Sequence, residues 1–195
     1  MQWDGRHARV GTAYTAAQPG NPLAGYLPAL EAVNGTDSHE GLDSPSGEYA
    51  GFMDAWVAAA ADPVFQAAQD GERDTVYFDP AVAQAKEDGL RALGQFAYYD
   101  ALVMHGPGDD PVSFGGIRAT ALENAAPPSQ GGDETAYLDA FLDAREDAMR
   151  TEEAHEDTTR VSTAQRVFLR AGNLDLQPPL RWSVYGDEFE FPTLP

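Results

Sequence analysis

Residues 78–106, FDPAVAQAKEDGLRALGQFAYYDALVMHG, decide how the rest of the chain is arranged. Asp79 before Pro80 signals a helix start: the Asp oxygen can accept from the first amides, and proline suits the first helical position. No further proline interrupts the run until Gly106-Pro107-Gly108 stops it. The pattern predicts one helix of about 25 residues, roughly 37 Å long at 1.5 Å per residue. Leu90, Leu93, Phe96, Ala97, Val103 and Met104 recur at the three- and four-residue spacing of a buried stripe. Asp100 stands inside that stripe. A carboxylate there needs a cation, because burying it alone costs far too much.

The cation is found by the same argument. Gly132-Asp133 opens a long helix whose apolar side carries Tyr137, Leu138, Phe141, Leu142, Ala148 and Met149. Arg145 lies on that side, four residues after Phe141 and four before Met149. A stripe arginine and a stripe aspartate have complementary needs, so Arg145 is expected to pair with Asp100.

Working outward, Asn21–Val33 reads as a short helix, and residues 34–51, rich in Gly, Ser, Asp and Pro, as a loop. Helical pattern returns over Phe52–Ala61. Asp62-Pro63 opens a further helix to about Asp70. Ile117–Ala126 is read as helical up to Pro127-Pro128, and Ser162-Thr-Ala-Gln165 has a capping-box pattern ahead of Val167 and Phe168. Gly172-Asn173 closes that helix. The alternation of Val184, Tyr185, Phe189 and Phe191 suggests a short strand. Residues 1–13 show no clear period. The fold class is mainly α (α+β).

Composition bounds the function. The chain has 195 residues, enough for one domain with a substantial core, and 43% of them are hydrophobic, which argues for a folded protein. With 32 acidic against 12 basic residues the net charge is −20, and Lys86 is the single lysine. Such a field repels nucleic acid and anionic membranes and attracts polycations, although a solvating acidic surface would look the same. No cysteine is present, so thiolate metal sites are excluded. The histidines lack metal-ligand spacing, and there is no phosphate loop or serine elbow; no metal and no cofactor are expected. No apolar run is long enough for a membrane span, and the first 20 residues lack a signal-peptide pattern.

Several stretches together resemble one enzyme family: YLPALEAVNG at 26–35, VYFDPAVAQAKEDGLRALGQFAYYDALVMHGPG at 76–108, SFGGIRATA at 113–121, QGGDETAYLDAFLDAR at 130–145 and RVFLRAGNLDLQPPLRW at 166–182. They are similar to bacterial chitosanases of glycoside hydrolase family 46, over residues 14–195, with 1–13 unmatched. The resemblance implies a lysozyme-like fold of two helical lobes, and inverting endo-hydrolysis of β-1,4 linkages between glucosamine residues. The implied partners are chitosan or glucosamine oligosaccharides. Neither nucleic acid nor membrane is expected, and the implied state is an extracellular monomer.

In that family the acid is a Glu on the first helix and the base an Asp in an Asp-Gly-Arg-Gly-Tyr-Thr segment of a small sheet. Neither is identified in this sequence. Asp4-Gly5-Arg6 repeats the tripeptide, but His7-Ala8-Arg9 follows it and Tyr14 stands only ten residues on. The expectation is therefore a chain lacking the first helix and sheet, inactive or nearly so, marginally stable, and competing with a reading as a non-catalytic chitosan or polycation binder. By resemblance, Asp100, Arg145 and Arg160 form the charged network that holds the catalytic Glu. Arg160 would then be a buried cation without its carboxylate, solvated or re-paired; a bond to Asp100 would count against that gap. His155 and Asp187 match sugar-contacting positions, and Glu152 and Glu156 are read either as lining the same cleft or as a solvated helix end. His39, His105, Trp56 and Trp182 are read as structural.

Overall fold

A computed structural model describes residues 5–151 and 157–193. The chain divides into two compact units, Met1–Val76 and Tyr77–Pro195.

The first unit is helical. Helix α1 (Arg6–Ala17) occupies a stretch in which the sequence shows no period, and it buries Val10, Gly11 and Tyr14. Its helicity comes from tertiary packing rather than pattern. A short 3₁₀ turn at Ala24–Tyr26 leads into α2 (Leu27–Val33), so the expected single helix has a tighter start. Helices α3 (Phe52–Ala59) and α4 (Pro63–Arg73) follow. Asp62 links sequence signal to packing: one carboxylate oxygen caps α4 through Val64 N–H at 2.8 Å. The other accepts from Tyr14 at 2.7 Å and Gln18 at 2.8 Å, tying α4 to α1. The loop 34–51 is held by buried Leu42, whose carbonyl accepts from Phe52 N–H at 2.8 Å. Tyr14, Tyr26, Phe52 and Phe65 form the aromatic core, with Trp56 set edge-on against Phe65 at 4.8 Å.

In the second unit the long helix expected over 79–105 is two helices, α5 (Asp79–Glu87) and α6 (Ala92–His105). The break is a Schellman motif. Gly89, at φ 80°, lets Leu90 N–H reach Ala85 O at 2.8 Å and Gly89 N–H reach Lys86 O at 3.0 Å. Asp88 is buried there, accepting from Tyr98 at 2.7 Å and from both Nε and Nη2 of Arg118, at 2.8 and 2.6 Å. Asp79 does not cap: the residue before it is already helical, within the π-helical turn Asp74–Phe78. A wide turn relieves the clash of the Pro80 ring with the preceding turn. The stripe also has a different phase. Leu93, Ala97, Tyr98, Ala101 and Leu102 are buried with Asp100, whereas Phe96 and Val103 are exposed. Residues 92–104 are apolar on nearly every side, so periodicity could not choose the inward face.

Helices α7 (Phe114–Asn124) and α8 (Glu134–Arg150) complete the core, and Asp133 caps α8 by accepting from Ala136 N–H at 2.9 Å. The expected cap at Ser162 is absent. Residues Arg160–Gln165 form a π-helical turn that runs into α9 (Arg166–Arg170), and Ser162 bonds back to Thr158 O. Gln165 is fully buried rather than a cap partner. Gly172 does close α9, with Asn173 N–H on Phe168 O and Gly172 N–H on Leu169 O. The tail is an antiparallel hairpin, β1 (Leu180–Val184) with β2 (Asp187–Phe191). Its register pairs Leu180 with Phe191, Trp182 with Phe189 and Val184 with Asp187 on one face. Arg181–Glu190 and Ser183–Glu188 lie on the other.

Candidate functional site

The packing of α6, α8 and the π-helical turn brings together the three charged residues singled out from the sequence. Asp100 Oδ2 lies 2.7 Å from Arg145 Nη2, and Asp100 Oδ1 accepts from Arg160 Nη2. Gln165 completes the cluster: its Nε2 donates to Asp100 Oδ2 at 3.0 Å, and its Oε1 accepts from Arg145 Nη1 at 3.1 Å. That amide orientation is forced, because an arginine can only donate and a carboxylate can only accept. Arg145 also points Nη2 at the Met104 sulfur, 3.6 Å away.

The expected Asp100–Arg145 pair is therefore present. The expectation of Arg160 as a cation without a carboxylate is not met, since Asp100 has two oxygens and gives one to each guanidinium. Among the described residues charge still does not balance: two guanidiniums face one carboxylate and a neutral amide. Among the described residues, Nε of Arg145 and Nε of Arg160 have no hydrogen-bond partner. Arg145 is fully enclosed, while a third of the Arg160 side chain is open.

Electrostatics follow from that asymmetry. Burial pushes the Asp100 carboxyl upward, but the charge of Arg145 and the hydrogen bond from Arg160 outweigh it, leaving it below the usual carboxylate range. Burial lowers the Arg145 pKa despite Asp100. The bond to Asp100 raises that of Arg160, against a smaller effect of burial. Asp100 is thus held ionised and cannot serve as a proton donor near neutral pH.

Asp100 and Arg160 open onto a hollow of about 300 Å³, walled by Phe96, Ala164, Trp182, Val184 and Phe189. An apolar hollow of about 250 Å³ adjoins it, formed by Phe96, Ala164, Phe168, Leu176, Leu180 and Trp182. Trp182 packs against Phe168 and stacks on Phe189 at 5.6 Å. Asp187 opens β2, exposed, on the hairpin face that also carries Val184 and Trp182. Glu152, His155 and Glu156, like Asp4, lie outside the described residues. Among the described residues no group of three His, Asp or Glu is placed to hold a metal ion.

Two features escaped the sequence reading. In the sequence Gln165 reads as a cap partner, whereas its burial beside two stripe charges is what places it in the cluster. Arg166 is held by Asp139 at 2.6 Å, Asp143 and Glu146 at 3.0 Å, three carboxylates on one face of α8. Their spacing of four and three was the available signal. Larger hollows of about 790 Å³ around Arg166 and about 920 Å³ outside the hairpin hold neither Asp100 nor Arg160.

A buried ion cluster facing a hollow holds its side chains in fixed positions and by itself names no chemistry. Comparison with known proteins defines it further: the profile of glycosyl hydrolase family 46 matches residues 5–180, and the chain belongs to that family. A chitosanase of a Streptomyces species is 67% identical over 176 residues, covering 90% of this chain and 61% of that protein. A chitosanase of Bacillus subtilis is 35% identical over 184 residues, covering 89% and 65%. The chain thus spans less than two thirds of the length of these relatives. Among solved structures, a substrate complex of chitosanase OU01 is 62% identical with a TM-score of 0.86, covering 98% of this chain and 78% of that one. A chitosanase of Gynuella sunshinyii in complex with chitotetraose is 32% identical with a TM-score of 0.84, covering 99% and 81%.

Proposed function

We propose that this chain is a chitosanase domain, directed at endo-hydrolysis of β-1,4 linkages between glucosamine residues in chitosan, with inversion. The observation that carries this is the Asp100–Arg145–Arg160–Gln165 cluster facing an open hollow in a chain 67% identical to a chitosanase. An inverting glycosidase needs a carboxylic acid and a carboxylate about 6.5–9.5 Å apart, with water between. Asp100 fills neither role, being committed to two guanidiniums. Among the described residues the cluster instead carries one surplus positive charge, suited to positioning a further carboxylate at the hollow.

Asp187, His155, Glu152 and Glu156 are proposed as sugar contacts, since a carboxylate beside a glucosamine ammonium makes a charge-assisted hydrogen bond. Chitosan or glucosamine oligosaccharides are the proposed partners of an extracellular, monomeric protein of polysaccharide degradation that binds neither nucleic acid nor membrane. No helix among the described residues is long and apolar enough to cross a membrane. With neither the acid nor the base assigned to any of its carboxylates, the 195-residue chain is further proposed to turn chitosan over slowly or not at all by itself.

Reducing-end release from soluble chitosan tests both statements. Turnover approaching that of a full-length relative places both carboxylates within this chain and overturns the proposed inactivity. Absence of turnover together with calorimetric binding of a glucosamine hexamer, lost steeply as salt is added, supports the domain as the sugar-holding part. Absence of both turnover and binding overturns the substrate assignment.

A further inference from the structure

The hairpin tip carries one of the two non-glycine residues with positive φ among the described residues, Tyr185, the other being Leu176. Val184 and Asp187 are the last cross-strand pair, so Tyr185 and Gly186 form a two-residue turn. Both have positive φ, 55° and 88°, which is the type I′ arrangement. Asn-Gly is the sequence that such a turn accepts most readily; a bulky aromatic residue at its first position is strained. Tyr185 is nevertheless not held there by burial, because 60% of it is exposed. Strain at an exposed residue points to a use for the side chain beyond packing.

The surroundings indicate that use. The Tyr185 N–H donates to Thr159 Oγ1 at 3.1 Å, and Thr159 Oγ1 in turn donates to Asp157 Oδ1 at 2.6 Å. Thr163 Oγ1 donates to Ser183 O at 2.6 Å. The tip is therefore fastened at two points to the turn that carries Arg160. Arg160 feels the Tyr185 phenol as well as Asp100. One residue beyond the turn is Asp187, an exposed carboxylate at the start of β2. An exposed ring two residues from an exposed carboxylate, on a turn whose backbone is fastened, suits a cationic sugar. The carboxylate takes a charge-assisted bond from the ammonium, and the ring face attracts the same charge.

We propose that Tyr185 is a substrate-contacting residue that presents its ring to a glucosamine ammonium beside Asp187. This rests on the chitosan reading above and adds a specificity element to it: an aromatic face that favours the deacetylated, charged sugar over the neutral acetylated one.

The test uses the intact chain with Tyr185→Asn and Tyr185→Phe, measuring the melting midpoint and calorimetric affinity for a glucosamine hexamer. Tyr185→Asn is expected to relax the turn and raise the midpoint by about 2–4 °C. The same substitution should weaken hexamer binding roughly 3- to 30-fold. Tyr185→Phe keeps the ring and should bind within about 3-fold of the parent. A residue with only a structural role would not separate stability from binding in this opposed way. Unchanged hexamer affinity in Tyr185→Asn, or a lowered midpoint, overturns the proposal while leaving the substrate reading intact. A parent chain that does not bind the hexamer overturns the substrate reading, and this inference with it.

Discussion

Arg145 and Asp100 meet 2.7 Å apart with the guanidinium wholly enclosed and the carboxylate nearly so. Their mutual attraction in a low-dielectric interior offsets a desolvation cost that either charge would bear alone. The pair is the centre of the candidate site, since Arg160 reaches the hollow from the other oxygen of the same carboxylate.

Removing the carboxylate should therefore be severe. Asp100→Ala leaves Arg145 as an uncompensated buried cation, with an expected loss of about 3–5 kcal/mol in urea unfolding. A midpoint matching the parent would show that Arg145 finds another partner.

The pH dependence has a fixed sign. The folded carboxyl of Asp100 lies below its unfolded value, so its contribution is fully present above the unfolded pKa of about 3.9. That contribution disappears as pH falls through the lower, folded value. Urea midpoints of the parent should drop on acidification below about pH 4, with a shallower drop in Asp100→Asn. Parallel profiles for the two proteins would contradict the assignment.

Gln165 satisfies Arg145 and Asp100 at once, so Gln165→Leu should strand the Arg145 Nη1 donor in the core and remove one of the bonds to Asp100 Oδ2. The expected loss is about 1–3 kcal/mol, read as a lower unfolding midpoint at an unchanged denaturant slope. A change in slope instead would mean that the folded state itself had loosened.

Gly89 and Gly172 end helices by the same motif but in different surroundings. A Cβ at Gly89 would sit 3.1 Å from both Ser129 N and Pro128 Cβ, whereas one at Gly172 meets nothing within 4 Å. Gly172→Ala should cost about 1–2 kcal/mol from backbone conformation alone. Gly89→Ala should cost more. Equal thermal shifts for the two would show that Pro128 and Ser129 move aside freely.

These comparisons also show where pattern reading was strong. Asp62-Pro63 and Gly132-Asp133 were legible because a cap is a local event, complete within three residues of chain. The same grammar failed at Asp79 and Ser162, where a π-helical turn holds the backbone and no cap is needed. Gly89 carries the stop signal correctly read at Gly172, but an apolar period continuing past it hid the break.

By itself the amino-acid order determined a mainly helical protein, its strong acidity, and the need of Asp100 for a buried arginine, because the cost of an isolated charge in a core does not depend on fold details. Which face of Ala92–His105 turns inward, and that Gln165 rather than solvent bridges the pair, was decided only by tertiary structure. The same is true of the seat of Arg160 on the second Asp100 oxygen. Those outcomes depend on how side chains 20 to 65 positions apart meet, and no local period encodes such a meeting.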